Sequence, residues 1–128
     1  MTRGQLVLIT TPEGDFVYPE EFNGDMDPPY RGRTVIRRLL KCKTYDDFDK
    51  VCKKFLKEFD YLKDYTQEQL DSGEYLKKGK LDEFKSGIPY SEYTYILNLS
   101  GTDFPMCANR NVAVYKKWSK LKEYKMVE

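Results

Sequence analysis

The chain contains no histidine. Imidazole is the usual general base of serine and cysteine hydrolases and the commonest nitrogen ligand of zinc, because its unperturbed pKa lies close to operating pH. Its absence excludes that chemistry and leaves Asp, Glu, Lys, Tyr, Arg or Cys to carry any catalysis. Cysteine is scarce as well. Cys42, Cys52 and Cys107 are odd in number, widely spaced and outside any CxxC pair, which argues against a zinc site and fits reduced thiols in a cytoplasmic protein. Neither GxGxxG nor the GxxxxGKS/T pattern occurs, so the usual phosphate-cradling loops are missing. No metal and no cofactor is expected. Long apolar runs are also missing: the first extends only from Leu6 to Ile9, far short of a signal-peptide core or a membrane span. The expectation is a cytoplasmic chain with no membrane association, in which the formal acceptor sequon Asn98-Leu99-Ser100 is not glycosylated.

What is present is large and aromatic. Hydrophobic residues make up 40% of the 128, including seven Phe, eleven Tyr and one Trp, which suffices for the core of one compact domain spanning 1–128. "QLVLIT", "TPEGD" and "FVYP" read as a hairpin whose turn carries Pro12 and Gly14. An irregular loop follows, marked by Asn23-Gly24 and Pro28-Pro29. "RTVIRRLLKC" is ambiguous. Val35, Ile36, Leu39 and Leu40 fit a helix face, while Thr34, Ile36, Leu40 and Cys42 fit a strand face. The strand is favoured because Thr44 looks like the N-cap of a helix beginning just afterwards, with Asp46, Asp47 and Asp49 complementing its dipole. In that helix Tyr45, Phe48, Val51, Cys52, Phe55, Leu56 and Phe59 form an apolar stripe.

Thr66 caps a weaker helix, "QEQLDSGEYLKK", and "KLDEFKSGIP" reads as a further helical turn before a loop. "EYTYILNL" is the best strand in the chain. In the tail, Val112, Val114 and Tyr115 begin a short strand, after which Val114, Trp118, Leu121 and Tyr124 favour a helix by spacing. The class is therefore α+β: a small antiparallel sheet, made of an N-terminal hairpin plus central strands, with two or three helices packed on one face.

Charge is segregated although the formal net is only +1. Residues 1–27 hold six acids and one base, whereas residues 30–43 hold six bases and no acid. Arg31, Arg33, Arg37 and Arg38, with Tyr30 beside them and Trp118 among the tail lysines, form a candidate nucleic-acid-binding set in which cations meet phosphates and an aromatic ring stacks on a base. The competing reading is a solvated face that pairs with the acidic N-terminal loop. Asp46, Asp47 and Asp49 suggest a carboxylate site, but helix capping explains them without one. Alternating acids and tyrosines in "EFDYLKDYTQEQLDSGEY" suit a protein-binding face.

A second candidate site lies in "YILNLSGTDFPMCANRN". A strand ending at Gly101 delivers Asp103, then Asn109, Arg110 and Asn111, a set able to hold a small polar or phosphorylated ligand. A plain turn is the competing reading, since Asn, Asp and Gly are turn formers. Residues 95–105 resemble a short signature of the core-2/I-branching glycosyltransferases, in which a strand enters an NLSG-x-DFP turn. The resemblance stops there. That family's upstream sugar-nucleotide region and downstream catalytic carboxylate have no counterpart in this chain, and no functional residue is carried over.

Taken together, these features favour a small, non-enzymatic binding protein with a protein partner, compatible with a phage-type accessory or inhibitor protein acting on a host protein. The first alternative is a nucleotide-binding or enzymatic pocket at residues 103–111, of which one form is completed across a homo-oligomer interface; the second is nucleic-acid binding through residues 30–43.

Overall fold

The computed structural model describes residues 2–81, 88 and 91–127. Among the described residues seven strands form a single sheet: β1 (Arg3–Ile9), β2 (Asp15–Tyr18), β3 (Phe22–Asn23), β4 (Lys77–Lys80), β5 (Tyr93–Asn98), β6 (Asn111–Lys116) and β7 (Ser119–Lys125). Their order is β4-β2-β1-β5-β6-β7, with β3 also pairing β1. Three helices, α1 (Arg31–Leu39), α2 (Tyr45–Glu58) and α3 (Gln67–Ser72), fall between β3 and β4 in the chain. This is the α+β class expected from the sequence. The sheet is mixed, because β1 and β5 run parallel from Gly4↔Tyr93 to Ile9↔Asn98 while the other pairs are antiparallel. Parallel neighbours need a long crossover, and the segment bearing the helices supplies it.

The two central strands are covered on both sides, which is why β1 is buried continuously from Gly4 to Ile9. On one face Leu6, Leu8, Tyr95, Leu97, Val112 and Val114 pack against helix residues that include Val35, Leu39, Phe48, Phe55, Leu56 and Leu70. On the other face Val7, Ile9, Phe16, Ile96 and Ala113 pack against Leu81, Ile88 and Cys107. In the α2 stripe Phe48, Cys52, Phe55 and Leu56 are buried and Val51 and Phe59 half-buried, as the spacing predicts, while Tyr45 at the start is exposed. Thr44 caps α2 in a reciprocal box: its hydroxyl accepts from the Asp47 amide, and the Asp47 carboxylate accepts from the Thr44 amide.

Three expectations are corrected. Residues 31–39 form a helix, not a strand, with Gly32, Val35, Ile36 and Leu39 buried at helical spacing. Its start carries no side-chain cap, because Tyr30 occupies the N-cap position. Backbone carbonyls of the preceding loop satisfy the first amides instead: Arg31 N donates to Asp25 O at 2.9 Å and Gly32 N to Asp27 O at 3.1 Å. The tail is a β-hairpin rather than a strand and helix, with β7 paired to β6. The spacing that favoured a helix there ran through Trp118 and Leu121, which are exposed and pack no helix face. Finally, α3 stops at Gly73, which takes the left-handed φ of +81°, and Lys77–Lys80 forms strand β4 against β2. The further helical turn expected from "KLDEFKSGIP" lies mostly outside the described residues.

One close approach seats α1 on the sheet. The Tyr95 hydroxyl, on the central strand, donates to Met26 O. A Cβ on Gly32 would overlap that hydroxyl and lie 2.8 Å from Asp27 O. Gly32→Ala is therefore expected to destabilise the fold by about 2 kcal/mol, an overpacking cost. Chemical denaturation measures it, and an unchanged midpoint would mean that α1 does not rest on Tyr95.

Candidate functional site

The loop that follows β5 is organised by one buried side chain. Asn98 is fully buried. Its Nδ2 donates to Thr102 O at 2.9 Å and to Cys107 O at 2.6 Å, while its Oδ1 accepts from the Ser100 amide at 2.9 Å and the Ser100 hydroxyl at 2.6 Å. Both donors and both acceptor sites of the amide are thus used within the loop. The sequon asparagine has no exposed amide to modify. Gly101, at φ +84°, makes the turn, and its amide donates to Asn109 Oδ1 at 2.8 Å.

The four candidate ligand residues are brought together here, and the loop or its neighbour engages the side chains of Asp103, Asn109 and Asn111. Asp103 Oδ1 accepts from the Asn109 amide at 2.9 Å. Asn111 Nδ2 donates to Glu123 Oε2, which also accepts from the Ala108 amide. Burial pushes the Glu123 pKa up, but hydrogen bonds from Lys120, Asn111 and the Ala108 amide outweigh it and hold the carboxyl below its ordinary value. Arg110 takes φ +61°. Its amide donates to Asn98 O and its carbonyl accepts from the Met126 amide. The NLSG turn is accounted for by its own hydrogen bonds.

The basic segment is sorted by the helix that it forms. Arg31 and Arg38, seven residues apart, face α2: the Arg31 guanidinium lies 4.6 Å from the Phe59 ring centre and the Arg38 guanidinium 4.4 Å from that of Phe55. Arg38 also makes a two-pronged contact with Glu58, at 2.7 and 2.9 Å. Arg33, Arg37 and Lys41 follow one another at intervals of four and point outward along one stripe. With Lys43 they line a depression of about 910 Å³ between α1 and the end of β7. Its apolar surface comes from Pro28, Pro29, Ile36, Leu40, Tyr124 and Val127. Among the described residues, none of these four cations is in an ion pair.

Of the six residues in the candidate nucleic-acid set, only Arg33 and Arg37 line this groove. Tyr30 is 65% exposed at the start of α1. Trp118 stands at the turn between β6 and β7, beside a different depression shared with Arg3 and Glu21. Sequence reasoning missed Tyr124, Val127 and the two prolines as groove residues. The spacing of Arg33, Arg37 and Lys41 would have marked one wall had the segment been read as a helix.

The perturbed thiols and phenols are kept neutral. Burial pushes Cys42 and Cys107 up to about 12 and Cys52 well above its ordinary value. Burial also raises Tyr75, which donates to Asp49. Asp47, held down by the Lys43 amide, serves the α2 cap. Among the described residues no cluster of acids and cysteines suits a metal ion, and no helix is long and apolar enough to cross a membrane. Comparison with protein-family models, curated proteins and solved structures finds no match for this chain.

Two outcomes test this geometry. Asn98→Ala strands several buried loop groups and is expected to cost about 3 kcal/mol in denaturant unfolding; a loss under about 0.5 kcal/mol would remove Asn98 as the organiser. The hydrogen bonds from Arg38 hold the Glu58 pKa below the ordinary carboxylate value. A depressed carboxyl contributes stability that is present above its unfolded-state pKa and lost as pH falls through its folded-state pKa. The stability gap between the wild type and Arg38→Ala should therefore narrow on acidification. A gap independent of pH would assign the whole effect of Arg38 to its packing on Phe55.

Proposed function

We propose that this protein works by binding, without chemistry of its own, and that the groove between α1 and β7 takes an acidic segment of a partner protein. The observation that carries the reading is the combination of four cations, not ion-paired among the described residues, with an apolar floor. Cations at the rim favour acidic side chains and speed encounter, while the prolines, Ile36, Leu40 and Tyr124 offer area for apolar anchors. A nucleic-acid backbone would use the same cations. It would leave the apolar floor without a partner, and the exposed Trp118, the candidate for stacking a base, lies beside a different depression. In this reading the chain acts as an accessory or inhibitory protein by occupying an acidic docking segment of a host protein.

Selection of displayed random peptides against the protein tests the reading without a known partner. Acidic peptides with apolar residues should be enriched, with affinities that fall by at least about tenfold in the double variant Arg37→Glu, Lys41→Glu and that weaken with salt. Enrichment of peptides without acidic character, or binding unaffected by the double variant, would overturn it. Tighter binding of a single-stranded oligonucleotide than of every selected peptide would transfer the groove to nucleic acid.

A further inference from the structure

The groove is bordered by a sheet edge. Strand β7 is seven residues long, exposed or half-buried throughout, and pairs with β6 alone among the described strands. Its other side therefore presents a row of backbone N–H and C=O groups. Tyr124, on β7, and Val127, just beyond it, form part of the groove lining, so groove and edge are continuous. Lys122 leans over the Tyr124 ring at 4.9 Å. Tyr124 and Lys122 lie opposite Val112 and Val114, whose side chains face the helices, whereas Lys120 and Lys125 lie opposite Tyr115 and Asn111 in the alternate register.

On the basis of the groove reading above, we propose that the acidic partner segment binds as an added β-strand along β7, with its alternate side chains meeting the groove cations and the edge lysines. Charge complementarity selects this occupant. The one acid of β7, Glu123, is held by Lys120 at 2.8 Å and by Asn111 and the Ala108 amide, so β7 keeps a net positive charge from Lys122 and Lys125. Pairing it with a second copy of itself sets two such strands side by side, and like charges across a strand pair are destabilising. The other edge of the sheet, β4, carries Lys77, Lys78 and Lys80, so pairing β7 with β4 of another copy meets the same repulsion. Lysines protect both edges against self-association. They do not oppose an acidic strand, whose carboxylates would neutralise β7 on both faces, while backbone hydrogen bonds supply the sequence-independent part of the affinity.

The test uses the full chain and a short synthetic peptide alternating Glu and Val, with the matching Lys–Val peptide as control. At low salt the Glu–Val peptide should bind, the Lys–Val peptide should not, and hydrogen exchange at β7 amides should slow on binding. N-methylating every second peptide amide should abolish binding in one register and leave it intact in the other, with a loss of roughly tenfold for each edge bond blocked. Equal tolerance of both N-methyl registers, with unchanged exchange in β7 but binding still lost in Arg37→Glu, Lys41→Glu, overturns the added strand and leaves the groove reading standing. Binding that survives the double variant overturns the groove reading itself. A Lys–Val peptide that binds as well as Glu–Val removes the charge argument on which both rest.

Discussion

The parallel pairing of β1 with β5 is the constraint on which the rest of the molecule depends. Two parallel neighbours require a crossover between them, and here that crossover contains every helix among the described residues. With Leu6, Leu8, Tyr95 and Leu97 on one face and Val7, Ile9 and Ile96 on the other, both faces must be covered. The helices cover the first. Leu81, Ile88 and Cys107 lie against the second. Tyr95 joins this scaffold to the helical layer, because its hydroxyl binds Met26 O and its ring end meets the place where only the absence of a Cβ at Gly32 lets α1 approach.

The position of α1 then decides how the basic residues are used. The helical repeat splits one run of cations into two sets. Arg31 and Arg38 turn inward onto Phe59, Phe55 and Glu58, where cation–π contact and a two-pronged ion pair fix the seam with α2. Arg33, Arg37 and Lys41 turn outward beside Tyr124 of the last strand. A chain with a formal net charge of +1 thereby acquires a locally cationic groove, while Glu58 is held by Arg38 on the other side of α1. Segregation, not total charge, gives the surface its character.

The loop after β5 shows the opposite outcome. Three of its polar side chains, which look like ligand-binding groups in one dimension, are held within the fold: Asp103 by the Asn109 amide, Asn109 by the Gly101 amide and Asn111 by Glu123. A buried amide must satisfy both its donors and its acceptor, and the cheapest partners are the backbone groups of a tight loop. Asn98, Ser100 and Gly101 therefore form a self-contained turn.

Where local chemistry was complete, the linear sequence was enough. The TPEGD hairpin, the Thr44 cap with the α2 stripe, the aromatic strand β5 and the α+β class all follow from turn residues, capping groups and periodicity acting over a few neighbours. Where the stabilising groups came from elsewhere in the chain, it was not. Helix α1 has no capping side chain to mark its start; backbone carbonyls at Asp25 and Asp27, which carry no side-chain signature, do that work. The tail repeats apolar residues at helical spacing, yet pairing with β6 makes it a strand. The basic residues were legible as a cluster, but their division between an inner seam and an outer groove was not. That division depends on the phase of a helix and on the approach of Tyr124 from the far end of the chain, and only the packed sheet sets both.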